Sequence, residues 1–272
     1  MWVAMYRAME SERPDALFKD PYARRLAGDR GEAILKSMPR GRVLAWPMII
    51  RTAVMDEIIC RCVSDGTRSV INLAAGLDTR AFRLALPPAL RWYDVDLPDM
   101  IRYRRDQLAS VRSACSHEHV EADLSSEGEL KRVLARISGE MPPVLVVTEG
   151  LLIYLTEPQV RSLAQQLHAR DELRWWLIDL ASPQLLQRVS KSWQPHLSAA
   201  NAPMQFGPVN GAAFFAPLGW RQAEYRSVWE ESLRLNRSIP LARIWNLLLK
   251  LRSKKGRESA RNMSSIVLLQ RS

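Results

Sequence analysis

The chain has 272 residues, of which 47% are hydrophobic, and its 39 Lys and Arg against 29 Asp and Glu give a net charge of +10. This length and composition suffice for one large core with an elaboration, and the lack of any run of about 18 apolar residues argues against a membrane span. The three cysteines have neither the spacing of a zinc site nor the density of a disulfide scaffold. Charged residues interrupt the N-terminal segment, so we predict no secretion signal, no metal site and a cytoplasmic protein.

The basic excess raises the local concentration of anionic partners such as a nucleic acid, an acidic peptide or an anionic small molecule. A soluble basic protein needs none of them, so the charge decides little by itself. An RNA-binding module would show interleaved basic and aromatic residues, and the sequence lacks that signature. We therefore predict no nucleic-acid partner and no membrane partner, while an RNA-binding module, which would bind RNA with a steep salt dependence, stays an alternative function. The oligomeric state stays open.

Residues 1–66 precede the first predicted strand and form an N-terminal helical cap. Their pattern, punctuated by prolines, predicts three helices: Met1–Ser11, Ala16–Ala27 and a long third helix that ends near Val63. Apolar residues recur at helical spacing in the third helix, so one of its faces should pack on the sheet. Arg51 lies near the start of that helix, and taken by itself it is most simply a solvated arginine.

A strand, a tight turn and a helix start follow one another from Ser69 onward. Ser69–Leu73 is rich in Val and Ile, Ala74-Ala75-Gly76 forms the turn, and Asp78–Leu86 is predicted to be helical. A second short strand, Trp92–Val95, leads to Asp96. A turn of small residues lets a ligand approach the backbone, and an acid after the next strand can accept hydrogen bonds from a ribose diol. We predict a nucleoside site with Asp96 as the ribose ligand and Asp94 as the less favoured candidate.

The turn also indicates which kind of nucleoside compound the site would bind. A pyrophosphate site requires G-x-G-x-x-G, whereas this chain reads AAGLDT with a single glycine, and Asp78 would repel a phosphate. We therefore favour a nucleoside without phosphates, such as S-adenosylmethionine, over NAD. A nucleotide-dependent oxidoreductase remains an alternative function.

The remainder of the chain alternates strands and helices, which is typical of a doubly wound α/β fold with a mostly parallel sheet. The predicted helices are Asp99–Arg112, Glu127–Ile137 and Glu157–Ala169. The predicted strands are His119–Ala122, Val144–Thr148, Trp175–Leu180, one from Trp220 to near Val228, and Ile266–Gln270. With the two earlier strands, these make a seven-stranded Rossmann-like sheet.

Three further candidate positions follow these strands, where open α/β folds bind ligands. Glu149-Gly150 comes directly after a buried strand, and Tyr154 could face the same crevice or be an ordinary buried tyrosine. Asp123-Leu124 follows another strand, and an Asp side chain with a backbone N–H can recognise the adenine amine and a ring nitrogen. Asp123 could equally cap the helix that starts near Ser125.

Several of these stretches together resemble one family. The runs VINLAAGLDTRAFRL, YDVDLP and TEGLLIYLTEPQV, with WVAMYRAMESERPDALFKDPYARRLAG at the N-terminus, resemble the leucine carboxyl methyltransferase superfamily. The match includes its bacterial branch of carboxyl O-methyltransferases acting on natural products, whose members usually have Gly where this chain has Ala74. The resemblance implies a class I methyltransferase fold, an antiparallel pair of final strands and S-adenosylmethionine as cofactor. The cofactor residues it implies are Arg51, on the methionine carboxylate, with Ala74, Ala75, Gly76, Asp78, Asp96, Leu97, Asp123, Leu124, Glu149 and Gly150.

The resemblance also implies a domain organisation. Residues 67–182 form the cofactor-binding core, residues 183–217 a lid over the substrate, and residues 218–272 the strands and helix that complete the core. The lid carries a stripe of aromatic residues, and such a stripe is more often part of a core than a binding surface. Pro240–Lys255 is a basic amphipathic helix that we expect to dock on the sheet rather than on a membrane.

The predicted chemistry is methyl transfer to a carboxylate of a small molecule or peptide. A carboxylate is ionised at neutral pH and needs no general base, whereas a phenol does. The four histidines show no motif spacing, and only His196, in the predicted lid, is a candidate base. No catalytic residue is certain, Tyr154 is a candidate for orienting the substrate, and a hydroxyl acceptor is the alternative.

Overall fold

The computed structural model describes residues 1–38, 41, 45–137, 142–189, 203–239 and 261–272. Its strands are β1 (Ser69–Leu73), β2 (Arg91–Asp96), β3 (Ser116–Glu121), β4 (Val144–Thr148), β5 (Leu173–Ala181), β6 (Trp220–Ser227) and β7 (Ser264–Arg271). Its helices are α1 (Trp2–Ser11), α2 (Ala23–Ser37), α3 (Trp46–Ser64), α4 (Arg80–Arg83), α5 (Pro98–Leu108), α6 (Glu127–Ile137), α7 (Glu157–His168) and α8 (Val228–Arg234). Two 3-10 helices span Leu152–Tyr154 and Gly211–Leu218.

All seven strands form one sheet in the order β3-β2-β1-β4-β5-β7-β6. β1 to β5 are mutually parallel, and β7 is antiparallel to both of its neighbours. The predicted doubly wound, mostly parallel seven-stranded sheet is therefore confirmed. Chain order reverses between β1 and β4, and ligands of open α/β sheets bind at the carboxyl ends of strands at such a point.

Helices cover both faces of the sheet, which explains why its central strands are continuous apolar runs. Every residue of β1 and β4 is buried. One core joins a sheet face to α6 and α7, and a second joins the opposite face to α3. A third apolar cluster unites α1 and α2 with the start of α3, so the predicted N-terminal cap has its own small core.

Three predicted helices differ from the observed ones, and the one expected over Asp99–Arg112 differs only in ending earlier, at Leu108. The helix expected over Ala16–Ala27 is wrong, because α2 begins only at Ala23 and continues to Ser37 with a break at Gly28. The segment before α2 is fixed by Asp20. The buried Asp20 carboxylate accepts hydrogen bonds from Arg7 at 2.8 Å and from Thr79 at 2.7 Å. The helix expected over Asp78–Leu86 shrinks to the single turn α4, because Pro87 disfavours a helical conformation for the residue before it.

The predicted lid is described only in part. Phe206 and Phe215 are buried, and the Phe215 ring meets Trp176 of β5 edge to face, with ring centroids 5.3 Å apart. The aromatic stripe is thus core in its described half, and Gln205 and Phe206 donate backbone hydrogen bonds to the Ile153 carbonyl. Trp193, His196 and the helix predicted over Pro240–Lys255 lie outside the described residues. None of the described helices is long and apolar enough to cross a membrane.

Candidate active site

A turn of unusual backbone conformation links β1 to α4 at the switch point. Gly76 has φ +55°, and a Cβ built there would meet its nearest neighbour only at 4.0 Å, so the turn leaves space above the backbone. Ala74 also has a positive φ of 55°, a region that favours glycine. This conformation gives a physical reason for the glycine that related sequences usually carry at the position, and Ala74 costs roughly 1 kcal/mol of strain there.

A cavity of about 230 Å³ opens beside this turn, across the carboxyl ends of β1 to β4. We call this region the apolar end of the crevice and define it by the lining residues Ala74, Asp96, Leu97, Asp123, Leu124, Leu151 and Leu155. Five of these were predicted from the sequence as cofactor ligands, and the structure brings them together around one cavity. Its leucine side chains offer the apolar surface that a flat adenine ring needs.

Asp96 is the acid best placed for a ribose diol. Its Oδ2 accepts from the Gly76 N–H at 2.6 Å and its Oδ1 from the Leu97 N–H at 2.7 Å. Each carboxylate oxygen has a second lone pair, so these bonds orient the group and leave acceptor capacity toward the cavity. Burial raises the pKa of Asp96 despite the two backbone hydrogen bonds.

Asp94, the less favoured candidate, is excluded as a ribose ligand because it is buried and both of its carboxylate oxygens already bind protein groups. Its Oδ1 accepts from Asn72 at 2.8 Å and Trp92 at 2.9 Å, and its Oδ2 pairs with Arg104 and His117. Burial would raise the pKa of Asp94, but the Arg104 guanidinium and the His117 hydrogen bond hold it well below its usual range. Asp94 therefore stabilises the sheet beneath the crevice.

Asp123 makes the turn that the capping alternative requires. Its Oδ1 accepts from the backbone N–H of Ser125 at 2.9 Å and from the Ser125 hydroxyl at 2.7 Å, and these bonds lower the pKa of Asp123. The carboxylate also lines the cavity. The turn thus fixes the orientation of a group that has lone pairs left for an adenine amine.

The other end of the crevice is built from charges. We call it the ionic end and define it by the side chains of Arg51, Asp78, Arg80, Glu149 and Asp179. Arg51 Nε lies 2.9 Å from Glu149 Oε1, and its Nη1 lies 2.9 Å from Asp179 Oδ2. The Arg51 side chain is only 12% exposed, so the interpretation as a solvated helix arginine is wrong. Its contact with a methionine carboxylate stays a prediction.

Arg80 holds three acids together. Its Nη1 lies 2.6 Å from Asp78 Oδ2 and 2.7 Å from Glu149 Oε2, and its Nε lies 2.6 Å from Asp56 Oδ1. Burial would raise the pKa of Glu149, but the charges of Arg80 and Arg51 lower it to about 2. Glu149 is therefore an ionised acceptor, suited to a cation such as an ammonium group.

Gly150 and Tyr154 complete this end. Gly150 has φ +65°, a region that favours glycine, and a Cβ there would lie 3.2 Å from Arg51 Nη1, so a side chain at this position would press on the guanidinium. Burial raises the pKa of Tyr154, and the charges of Arg51 and Asp179 act on its hydroxyl, which places the ring beside the ionic end. Its role in orienting a substrate stays a prediction.

Sequence reasoning missed three residues here. Asp179, near the end of β5, accepts the backbone N–H of Gly150 at 2.7 Å as well as pairing with Arg51. An acid near a strand end was the signal used for Asp96 and Glu149, so it could have been found. Arg80 and Arg7 carry no such signal, and Arg7 reaches the turn through a hydrogen bond to the Leu77 carbonyl.

The donor set fits S-adenosylmethionine. An amino acid is a zwitterion, and the ionic end presents cations and carboxylates side by side, while the apolar end supplies a diol acceptor and a flat apolar cavity. Residues that would hold the cofactor are Asp96 and Leu97 at the nucleoside, Asp123 and Leu124 at the base, and Arg51 and Glu149 at the amino acid.

Comparisons with known proteins agree with this geometry. A model of the leucine carboxyl methyltransferase family matches residues 1–168. A protein of Streptomyces coelicolor assigned as an S-adenosyl-L-methionine-dependent methyltransferase is 29% identical over 249 residues, which are 87% of each chain.

Two solved structures share the fold. A DUF574 family protein from Streptomyces avermitilis has a TM-score of 0.60 at 13% identity, covering 100% of this chain and 97% of its own. Magnesium protoporphyrin IX methyltransferase from Synechocystis, solved with bound SAH, has a TM-score of 0.51 at 14% identity, covering 92% and 93%. Because the family model spans more than half of the sequence, the chain belongs to the leucine carboxyl methyltransferase family, as its motifs predict.

Proposed function

We propose that this protein transfers the methyl group of S-adenosylmethionine to a carboxylate of a small-molecule or peptide natural product and so forms a methyl ester. S-adenosylmethionine is the cofactor and methyl transfer is the reaction. The carboxylate acceptor and its origin in natural-product biosynthesis are the proposal. The observation that carries it is that, in the part of the chain that the structure describes, no histidine lines the cavity or belongs to the ionic end.

The bound cofactor supplies a methyl group on a sulfonium, which is displaced in line by the acceptor. The chain has to align donor and acceptor and keep water out. In the proposal Arg51, fixed between Glu149 and Asp179, holds the amino-acid part, and Asp96 fixes the ribose. Both groups are held by protein contacts before any ligand arrives, so little reorganisation accompanies binding.

The candidate bases can be taken one by one. Glu149, with a pKa of about 2, is too weak a base to take a proton from a phenol. Tyr154, with its pKa raised by burial, stays protonated and can donate a hydrogen bond to an acceptor oxygen. Of the histidines that the structure describes, none lines the cavity or belongs to the ionic end. A carboxylate acceptor needs no base, which supports the proposal.

The test is the chemistry of the product. Purified protein is incubated with carboxylate-bearing candidate acceptors and S-adenosylmethionine carrying a labelled methyl group, and the labelled product is treated with mild alkali. We expect release of the label as methanol, because esters saponify and aryl ethers do not. A carboxylate with a pKa near 4 should also give a nearly flat rate from about pH 6 to 8.

A labelled product that survives alkali, formed at a rate that rises with pH, would contradict the carboxyl assignment and indicate a hydroxyl acceptor. His196 would then be the first base to replace. Calorimetry gives the independent control on the cofactor, since S-adenosylmethionine should bind and NADH should not. If NADH bound and S-adenosylmethionine did not, the result would favour the oxidoreductase alternative.

A further inference from the structure

A second cavity, of about 450 Å³, lies away from the crevice, between the C-terminal end of α5 and β3. Its wall is made by α5 and the residues that follow it, by Phe82 of α4 and by His117 and His119 of β3. None of its lining residues lines the cavity of the apolar end. Methyl transfer as proposed above therefore leaves this cavity without a role.

The lining combines apolar surface with positive charge. Phe82, Leu108 and Val111 supply the apolar part, while Arg105 and Arg112 supply two guanidinium groups. Among the lining residues that the structure describes, none is Asp or Glu. Arg112 makes no ion pair with any residue that the structure describes, and Arg105 reaches Glu121 only at 4.0 Å, between side chains that are both exposed. The guanidinium groups are thus available to an anion.

His119 adds an unsatisfied polar atom to this wall. Its Nε2 is buried and has no hydrogen-bond partner among the described residues. Burial, followed by the nearby charges of Arg104 and His117, lowers the pKa of His119 to about 4, so the ring is neutral at neutral pH. A neutral imidazole carries one proton, and in the Nε2–H form this atom is a donor without an acceptor. That atom has almost no exposed surface, so a ligand in the cavity would meet the His119 ring and not Nε2 itself.

The neighbouring ring is fixed and gives the wall its rigidity. His117 Nε2 lies 2.6 Å from Asp94 Oδ2, and since Asp94 is ionised the histidine nitrogen donates. The His117 ring meets His119 edge to face with centroids 4.5 Å apart, and meets Phe82 at 4.9 Å. His119 therefore has a defined position rather than a freely rotating one.

We propose that this cavity binds a small aromatic anion. Its oxyanion, a phosphate or carboxylate, would be held by Arg105 and Arg112. Its ring would lie against Phe82 and Val111. A volume of about 450 Å³ is within the range of small-molecule sites, and guanidinium groups match the geometry of both oxyanions.

Calorimetry with phenyl phosphate tests the site on the whole chain, with S-adenosylhomocysteine present to fill the crevice. We expect saturable binding of one phenyl phosphate per chain, tighter than that of inorganic phosphate or phenol, because each of these keeps only half of the contacts. Benzoate in place of phenyl phosphate distinguishes carboxylate from phosphate ligands. Arg112→Ala should weaken phenyl phosphate binding by about tenfold, as expected for the loss of a charge-assisted contact.

The matched control is Arg102→Ala, which removes an exposed arginine of α5 that lies outside the cavity and should leave the affinity unchanged. The proposal is overturned if phenyl phosphate shows no saturable binding up to about 10 mM. Equal losses in Arg102→Ala and Arg112→Ala would overturn it as well, since they would indicate attraction to overall charge.

Discussion

The two ends of the crevice differ in how their polar groups are satisfied. At the ionic end every named charge already has protein partners, with Arg51 held by two acids and Arg80 by three. At the apolar end Asp96 is anchored only by backbone N–H groups, beside a cavity lined mostly by leucines. The ionic end is a preformed charge network that stabilises the fold, whereas the apolar end is a cavity whose polar groups can still bind a ligand. Substitutions at the ionic end should therefore affect both stability and binding, and those at the apolar end mainly binding.

The largest expected effect is on stability. Arg80→Met removes the cation shared by Asp56, Asp78 and Glu149 and leaves these acids without it in a buried setting. We expect the free energy of unfolding to fall by about 3–5 kcal/mol in chemical denaturation. Arg102→Met, at an exposed position of α5, is the control and should change stability by less than about 0.5 kcal/mol. Equal stability of the two variants would show that the ionic end does not support the fold.

The second effect is the pH dependence of stability. Because the pKa of Glu149 falls from 4.5 to about 2 on folding, its contribution is complete above about pH 4.5 and is lost as the pH falls through 2. The contribution is at most about 3 kcal/mol. Glu149→Gln should be less stable than the wild type at pH 6, and the difference should shrink in acid. Glu157→Gln, at an exposed residue, should show no such convergence.

The third effect isolates the apolar end. Asp96→Ala removes the acceptor for the ribose diol and should weaken S-adenosylmethionine binding by roughly 1.5–3 kcal/mol, measured by calorimetry. Its stability should change less than that of Arg80→Met. Asp106→Ala, an exposed acid on α5, is the control. Unchanged affinity in Asp96→Ala would remove Asp96 from the site.

The smallest effect concerns geometry at constant charge. Arg51→Lys keeps the positive charge but loses the planar fork that reaches Glu149 and Asp179 together. We expect about 1–2 kcal/mol weaker cofactor binding and a lower rate, whereas Arg161→Lys on the exposed face of α7 should match the wild type. Wild-type affinity and rate in Arg51→Lys would mean that only the charge matters.

The sequence predicted this architecture because its strongest signals are local. The bounds of β1, β4 and α6 agree with the prediction, since apolar runs between turns and helical periodicity depend on nearby residues alone. The prediction of a helix over Ala16–Ala27 was wrong because Asp20 forms hydrogen bonds with Arg7 and Thr79, and a local sequence pattern does not reveal such contacts.

The site shows the same division. The residues around the apolar end were predicted because they follow strand ends, and strand ends can be read from sequence. The network of Arg80 and Asp179 was not, because a charged residue in a sequence does not reveal which other charges it meets. Whether Asp96, Arg51 and Glu149 bind the cofactor stays a prediction until it is measured.

The position of β7 has a consequence for how the chain is made. β7 is the last strand in chain order, yet it lies between β5 and β6, and β6 pairs with β7 in the described sheet. During synthesis the five parallel strands can assemble while β6 has no strand to join and β5 keeps an unpaired edge. Because exposed strand edges invite association with other chains, we expect the nascent protein to be open to aggregation until Ser264–Arg271 has left the ribosome. Deleting those residues would remove two strands from the sheet, not one.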